Sequence, residues 1–261
     1  QEITGMAESP YGRIITTTGE GQRSIYENGK LLFSSGNNIE NEENVHYLMS
    51  QISAPKSVAV ISGDFYGILK ELIKYDVAQI DYIEMNPELL KMAEKNLSDS
   101  MLKKGTVNLV HRDPIVYLSE TGIKYDAIMI NLPDPSTAQL NRYYTIGFLS
   151  ELKKHLSEKG AVAISLSDFG NYMGDEARML FSSIYNTSKQ VYKHVSLIPG
   201  NRLYFILSDQ PVGFGFLAGL QEKNVESIYV KNYSDTTLMR LRSSRLIESV
   251  EADAPLNKDF R

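Results

Sequence analysis

The sequence predicts an α/β fold in which an antiparallel hairpin closes a mostly parallel sheet, with a small β-hairpin module ahead of it. Beyond that module, short apolar strands alternate with helices, a pattern that favours βαβ units and a parallel sheet. The first of these strands, residues 57–61, is an almost continuous apolar run, as expected of a strand that is buried on both faces. The last two strands, at 194–198 and 202–207, are separated only by the turn at 199–201. So short a turn forces the two strands to pair antiparallel.

The N-terminal module is predicted over residues 1–37. Residues 13–18 are rich in β-branched side chains, which favour strands. The dipeptide Asn28-Gly29 is a strong signal for a two-residue hairpin turn. We therefore expect antiparallel β structure here.

The α/β domain is predicted over residues 38–210, and it opens with a helix at 40–51 whose first turns are polar. Its further strands lie at 80–84, 107–110, 126–130 and 161–165, and its further helices begin near 68, 87, 148 and 175, the third of them ending near Gly160. Residues 211–261 are expected to form a C-terminal helical appendage with a helix at 236–250. A mostly parallel sheet closed by an antiparallel hairpin is typical of the Rossmann-like class I adenosylmethionine-dependent methyltransferase fold.

Composition excludes several classes of function. The chain has 261 residues, a net charge of -5 and no basic run, so nucleic acid is not an expected partner. It contains no cysteine, which rules out disulfides and thiolate catalysis within it. Its histidines are scattered and show no metal-ligand spacing, so no metal is expected; they are His46, His111, His155 and His194.

The sequence also carries information about location. No apolar stretch approaches the roughly 20 residues that a membrane-spanning helix needs. The first residues do not resemble a signal peptide, which favours a cytoplasmic location. Because the chain lacks an initiator Met and stops without a tail-like signal, we expect it to be part of a longer protein.

Several segments resemble spermidine synthases. They are ESPYGRI at 8–14, ENG at 27–29, NEENVH at 41–46, DAIMINLPDP at 126–135 and NRYYT at 141–145. The similarity covers about residues 8–208, in order, and is strongest to a bacterial branch in which this domain is fused to membrane-spanning helices. The resemblance implies aminopropyl transfer from decarboxylated S-adenosylmethionine to a small amine such as putrescine. It also implies a homodimer, and it implies that the chain is cytoplasmic, either on its own or as the cytoplasmic domain of a membrane protein.

The resemblance assigns four residues to the adenosyl compound. Glu84 matches the acidic residue that binds the ribose hydroxyls, and Asp113 matches the position that contacts adenine. A solvated strand end and a helix cap are the simpler interpretations of these two carboxylates, and Pro114 suits the cap. Gly63 and Gly67 are the glycines that survive from the family's G-G-G-x-G-G loop.

Two side chains in that loop depart from the family. Asp64 and Tyr66 stand where the family has glycine and presents backbone to the ligand. If Tyr66 fills the adenosyl pocket, every enzymatic interpretation fails. Without the glycines, the loop is an ordinary strand-to-helix turn.

The predicted catalytic residues are Asn131 and Asp134. The family has Asp where this chain has Asn131, and an amide cannot accept a proton at neutral pH. Asp134 is then the candidate base, although an Asp before Pro135 is also a common turn residue. An amine acceptor needs such a carboxylate, because it is protonated at neutral pH.

Four further residues are predicted to bind the substrate, namely Tyr11, His46, Tyr143 and Tyr144. Tyr11 and His46 match family positions that line the site, while the two adjacent tyrosines can wall an amine pocket by cation–π contact. A structural histidine and core tyrosines are the simpler interpretations.

Three functions compete at this point. The first is an aminopropyltransferase-like enzyme. The second is a catalytically impaired module that binds a nucleoside or polyamine for a membrane-fused parent. The third is a methyltransferase on the same fold, to which the NLPDP segment at 131–135 is loosely similar.

Overall fold

The computed structural model describes residues 1–96, 106–167, 173–232 and 236–259. The N-terminal module is a four-stranded antiparallel sheet in the order β1-β2-β3-β4. Its strands are β1 (Glu2–Ser9), β2 (Gly12–Gly19), β3 (Gln22–Glu27) and β4 (Lys30–Ser34). The predicted turn joins β3 to β4, with positive φ at both Asn28 (50°) and Gly29 (80°). The β structure predicted for this segment is confirmed.

The second sheet has seven strands in the order β10-β11-β9-β8-β5-β6-β7. They are β5 (Ser57–Ile61), β6 (Gln79–Glu84), β7 (Val107–His111), β8 (Tyr125–Ile130), β9 (Leu156–Ser167), β10 (His194–Pro199) and β11 (Arg202–Ser208). Strands β5 to β9 pair in parallel, and β11 runs antiparallel to both β9 and β10. The predicted fold class is therefore confirmed, including the closing hairpin.

Helices cover both faces of this sheet. They are α1 (Asn38–Met49), α2 (Phe65–Leu72), α3 (Pro87–Asn96), α4 (Pro114–Glu120), α5 (Ala138–Asn141), α6 (Ile146–Lys154), α7 (Asp175–Val191), α8 (Phe216–Glu222) and α9 (Thr237–Glu248), with 3-10 turns at Arg142–Tyr144 and Val230–Asn232. The alternation of side chains along β5 explains the two layers: Val58 and Val60 enter one apolar cluster, and Ala59 and Ile61 enter the other.

One predicted boundary is wrong. The helix that begins near residue 148 ends at Lys154 rather than near Gly160, and β9 already begins at Leu156. Leu156 pairs with Tyr125, and the register then shifts before Ala161 pairs with Ala127. The residues in this irregular part of β9 resemble a helix end in sequence. Because Leu156 also lies at helical spacing from the apolar residues before it, the predicted helix was too long.

A buried carboxylate attaches the C-terminal appendage to α1. Glu42 is 2% exposed and accepts hydrogen bonds from the hydroxyl of Ser227 and the backbone N–H groups of residues 228–230. Burial tends to raise the pKa of Glu42, but these hydrogen bonds outweigh it and lower the pKa. Within the ranges that the structure describes, no helix is both long and apolar enough to cross a membrane. The division at residues 37 and 210 stays a prediction.

Candidate active site

An open cleft of about 370 Å³ lies at the carboxyl ends of the parallel strands. It is centred where β5 has β6 on one side and β8 on the other, which is the switch point at which open α/β sheets bind ligands. The first turns of α1 and part of β4 form its other wall. The polar residues that line it include Lys30, Glu40, Asn41, Asn44, Ser62, Asp64, Asn131, Asp134, Ser165, Ser167 and Arg202.

The turn after β5 brings backbone close to Asn131. Gly63 has φ +97°, and a Cβ at that position would lie 2.6 Å from Asn131 Cβ. Only glycine fits there without displacing its neighbour. At the other surviving glycine, a Cβ at position 67 would lie 1.9 Å from Asn41 Nδ2. Gly67 therefore makes room for a side chain of α1, and Gly63 for the residue after β8.

Asp64 serves as the N-cap of α2. Its Oδ1 accepts from the backbone N–H groups of Tyr66 and Gly67, each at 3.1 Å, and its Oδ2 accepts from Asn41 Nδ2 at 2.7 Å. Burial raises the pKa of Asp64, although these hydrogen bonds act in the opposite direction. This carboxylate lines the cleft, but the helix holds it.

Tyr66 does not line the cleft. Its side chain is 51% exposed and borders a second cavity of about 400 Å³ that faces the N-terminal sheet, with Thr16, Ile25 and Phe33. The helix already begins at Phe65, so position 66 is turned away from the strand ends. Tyr66 therefore leaves the cleft open.

Glu84, the last residue of β6, is bonded within the protein. It is 6% exposed, its Oε2 accepts from Ser62 Oγ at 2.6 Å and its Oε1 accepts from Asn86 N at 2.8 Å. Burial raises the pKa of Glu84, against the effect of the bonds from Ser62 and Asn86. The carboxylate lies beside the turn after β5, behind the residues that line the cleft.

Asp113 combines a helix cap with an ion pair. Its Oδ1 accepts from Ile115 N at 2.9 Å, and Pro114 occupies the first turn of α4. Its Oδ2 lies 2.5 Å from Nη2 of Arg142, whose guanidinium stacks 4.6 Å from the Tyr143 ring centroid. The sequence did not indicate a role for Arg142. The NRYYT motif marks the segment as similar to the family, but it does not show that Arg142 pairs with Asp113 after β7.

Asn131 and Asp134 face the same cleft from the segment after β8. The backbone N–H of Asn131 donates to Ile61 O at 3.0 Å, while its side-chain Nδ2 is buried with no hydrogen-bond partner among the described residues. Oδ1 of Asp134 accepts from Ser167 N at 2.9 Å and from Arg202 Nη2 at 3.4 Å. The structure thus brings the two predicted catalytic residues together beside the Gly63 turn.

Arg202 and Glu40 are site residues that sequence reasoning missed. Arg202 is the first residue of β11, and its Nε lies 3.7 Å from Glu40 Oε1 on α1. A single charge at the start of an otherwise apolar strand was the available signal.

The four predicted substrate-binding residues do not line the cleft. Tyr11 lies in the turn between β1 and β2. His46 is fully buried, with Nδ1 2.9 Å from Tyr75 Oη and Nε2 3.0 Å from Glu71 Oε2.

Tyr144 lies beneath the segment after β8, and Tyr143 lies beside Met85 after β6. The hydroxyl of Tyr143 lies 3.2 Å from the sulfur of Met85, and that of Tyr144 donates to Pro133 O at 3.0 Å. Burial raises the pKa of both tyrosines above the ordinary value. No three His, Asp or Glu side chains of the described ranges are grouped so that they could hold a metal ion.

Comparison with known proteins places the chain in a family. Residues 37–206 match the spermine/spermidine synthase domain. The polyamine aminopropyltransferase of Oceanobacillus iheyensis is 31% identical over 169 residues, which is 62% of this chain and 33% of that protein. Polyamine aminopropyltransferase 2 of Aquifex aeolicus is 27% identical over 228 residues, covering 82% of this chain and 45% of that protein. The chain thus spans less than half the length of either relative.

The fold has a close match among solved structures. The crystal structure of spermidine synthase from Thermotoga maritima superposes with a TM-score of 0.77 at 18% identity, over 95% of this chain and 87% of that one. The match to the family domain covers most of the α/β part of the chain, including the whole cleft except Lys30 to Phe33. The chain belongs to the spermine/spermidine synthase family.

Proposed function

We propose that the protein transfers an aminopropyl group from decarboxylated S-adenosylmethionine to a small amine such as putrescine. The observation that carries this proposal is the position of Asp134: its carboxylate faces the cleft beside Asn131, at the switch point of the sheet. The names of the relatives support the same reaction, since both are polyamine aminopropyltransferases.

The nucleoside part of the donor fits the β5–β7 side of the cleft. We expect Glu84 to bind the ribose hydroxyls in exchange for its bond to Ser62, which lines the cleft. Asp113 is placed to bind the base in exchange for its pairing with Arg142. Each of these two carboxylates is therefore available only after a bond inside the protein is replaced.

The reacting part fits the β8–β9 side. The amine nitrogen forms a bond to the methylene carbon beside the sulfonium while the carbon–sulfur bond breaks, and methylthioadenosine leaves. Asp134 takes the proton that the amine must lose, and Asn131 orients the amine without taking a proton. Positioning of the two reactants by the cleft supplies much of the remaining acceleration.

Calorimetric titration combined with a transfer assay tests the proposal. Decarboxylated adenosylmethionine and methylthioadenosine are expected to bind, adenosylmethionine is expected to bind more weakly, and putrescine with the decarboxylated donor is expected to yield spermidine. Failure of all three compounds to bind would overturn the proposal. Equal binding of adenosylmethionine together with methyl transfer would replace it with the methyltransferase alternative.

The assembly and location belong to the same proposal. A homodimer through the N-terminal sheet is supported by β1, an edge strand on which Ile3 and Met6 are 62% and 60% exposed. Sedimentation is expected to show a dimer for the wild-type protein and a monomer for an Ile3→Lys/Met6→Lys variant.

Fractionation of cells that express the full-length parent tests the cytoplasmic membrane-fused location, and recovery in the secreted fraction would contradict it.

A further inference from the structure

The acceptor end of the cleft holds a cation between two carboxylates. Nε of Arg202 lies 3.7 Å from Oε1 of Glu40, and its Nη2 lies 3.4 Å from Oδ1 of Asp134. Along β11, Arg202 is on the same face as Tyr204, which packs against Tyr47 of α1 at 5.1 Å between ring centroids. The strand alternation therefore fixes the guanidinium between α1 and the segment after β8.

The contacts of Arg202 use little of its hydrogen-bonding capacity. A guanidinium has five N–H donors, and here Nη2 makes two long hydrogen bonds, at 3.4 Å to Asp134 and 3.3 Å to Ser165 O. Nε is buried and has no hydrogen-bond partner among the residues that the structure describes. The shorter bond to Asp134, at 2.9 Å, comes from the backbone N–H of Ser167 instead. Arg202 is thus held loosely, with donors that a ligand can use.

The charge at this position discriminates between acceptors. A diamine presents an ammonium at each end, and the second ammonium needs a carboxylate such as Glu40, next to which Arg202 already lies. Two like charges brought together in a partly buried site repel each other strongly. An acceptor with a carboxylate at its far end instead meets a guanidinium, whose planar donor geometry matches a carboxylate.

We propose that Arg202 is a specificity-determining residue: it weakens the binding of diamines and favours an acceptor with one ammonium and, at its far end, one carboxylate. The inference rests on the proposed function, because it takes the cleft to bind an amine acceptor. Asp134 binds the ammonium in both cases, so the two kinds of acceptor differ in how their far ends meet Arg202.

Two acceptors of matched length test the inference. Putrescine and 5-aminovalerate both have four methylene groups after the amine, and they differ in whether the far end is an ammonium or a carboxylate. Initial rates at saturating decarboxylated donor are measured for wild type, Arg202→Gln, Arg202→Lys and the matched control Arg245→Gln, which removes an exposed arginine of α9. Glutamine removes the charge and retains an amide that can still donate to Asp134.

The expected result is a preference of the wild type for 5-aminovalerate. Arg202→Gln is expected to shift the ratio of kcat/KM toward putrescine by about tenfold or more, mainly through KM. Arg202→Lys and Arg245→Gln are expected to keep the wild-type preference. If Arg202→Gln does not fold, Glu40→Gln replaces it: removal of the carboxylate beside Arg202 is expected to strengthen the preference for 5-aminovalerate.

The outcomes separate this inference from the proposed function. Transfer with an unchanged acceptor ratio in Arg202→Gln overturns the inference and leaves the proposed function intact. If Arg202→Gln lowers the melting temperature and reduces kcat/KM equally for both acceptors, the role of Arg202 is purely structural. That result also overturns the inference. If no protein transfers to either acceptor, the proposed function fails. Calorimetric titration of both compounds then decides the inference, and equal affinities of wild type and Arg202→Gln for 5-aminovalerate overturn it.

Discussion

The two ends of the cleft differ in how their polar groups are satisfied. At the β5–β7 end, the two predicted ligand carboxylates lie behind the cleft lining: Glu84 is bonded to Ser62 at 2.6 Å and Asp113 is paired with Arg142 at 2.5 Å. At the β8–β11 end, the buried Nδ2 of Asn131 and Nε of Arg202 have no hydrogen-bond partner within the described part of the chain. The first end must exchange internal bonds for those of a ligand, whereas the second offers groups whose bonds are still to be made.

Asp134→Asn is expected to cause the largest loss, because it removes the base from the open end of the cleft. The rate of aminopropyl transfer should fall by about 100-fold or more, while an asparagine Oδ1 can still accept from Ser167 N. Steady-state rates with putrescine measure the effect, and thermal unfolding of the same variant confirms that the fold persists.

The complementary variant is Asn131→Asp, which restores a carboxylate at the neighbouring position. The double variant Asn131→Asp/Asp134→Asn is expected to recover part of the lost rate. Unchanged turnover in Asp134→Asn would show that Asp134 is not the base, and it would remove the contrast between the two ends.

Gly63→Ala tests the backbone turn that lies between the two ends. Its φ of +97° and the 2.6 Å approach of a Cβ to Asn131 predict strain from any larger residue. The free energy of unfolding should fall by about 1–3 kcal/mol, and methylthioadenosine should bind more weakly. Gly122→Ala is the matched control, since nothing lies within 4 Å of a Cβ at that position. Chemical denaturation measures both free energies of unfolding. Equal losses in Gly63→Ala and Gly122→Ala would contradict the strain predicted at position 63.

Arg142→Gln tests whether the nucleoside end is closed by its own ion pair. If the guanidinium must leave Asp113 before the base can bind, its removal should tighten methylthioadenosine binding by about three- to tenfold. Calorimetric titration measures this change, with Arg112→Gln as control because Arg112 pairs with the exposed Glu120 instead. Weaker binding in Arg142→Gln would show that the arginine contacts the ligand rather than excluding it.

The sequence predicts the fold well because the information is local. Alternating apolar strands and helices identify the parallel sheet, and the short turn at 199–201 identifies the closing hairpin. The positions of Glu84, Asp113 and Asn131 follow from the same local pattern, since each stands at or just after the end of a parallel strand.

The pairing of these residues could not be predicted in the same way. Arg142 reaches Asp113 across 29 positions, and Arg202 reaches Asp134 across 68. Such contacts depend on the order of strands and on side-chain direction. Neither of these can be predicted from the residues that are adjacent in sequence. The direction of Tyr66 likewise depends on where α2 begins, and the sequence shows that position only to within a few residues.

The smallest expected effect concerns the pH dependence of stability at the nucleoside end. Because burial raises the pKa of Glu84, the native state binds a proton more tightly there than the unfolded chain does. The stability that this group contributes is then fully present below the ordinary pKa of a glutamate and is lost as the pH rises through the raised value. Glu84→Gln removes this titration, so the free energy of unfolding of the wild type relative to the variant should fall as the pH rises above the ordinary pKa of a glutamate. Urea denaturation over that range measures the difference, with Glu248→Gln on the exposed face of α9 as the control for loss of one negative charge. A difference that grows with pH would mean that Glu84 is stabilised as a carboxylate, and that this end of the cleft is less closed to charge than its short hydrogen bonds indicate.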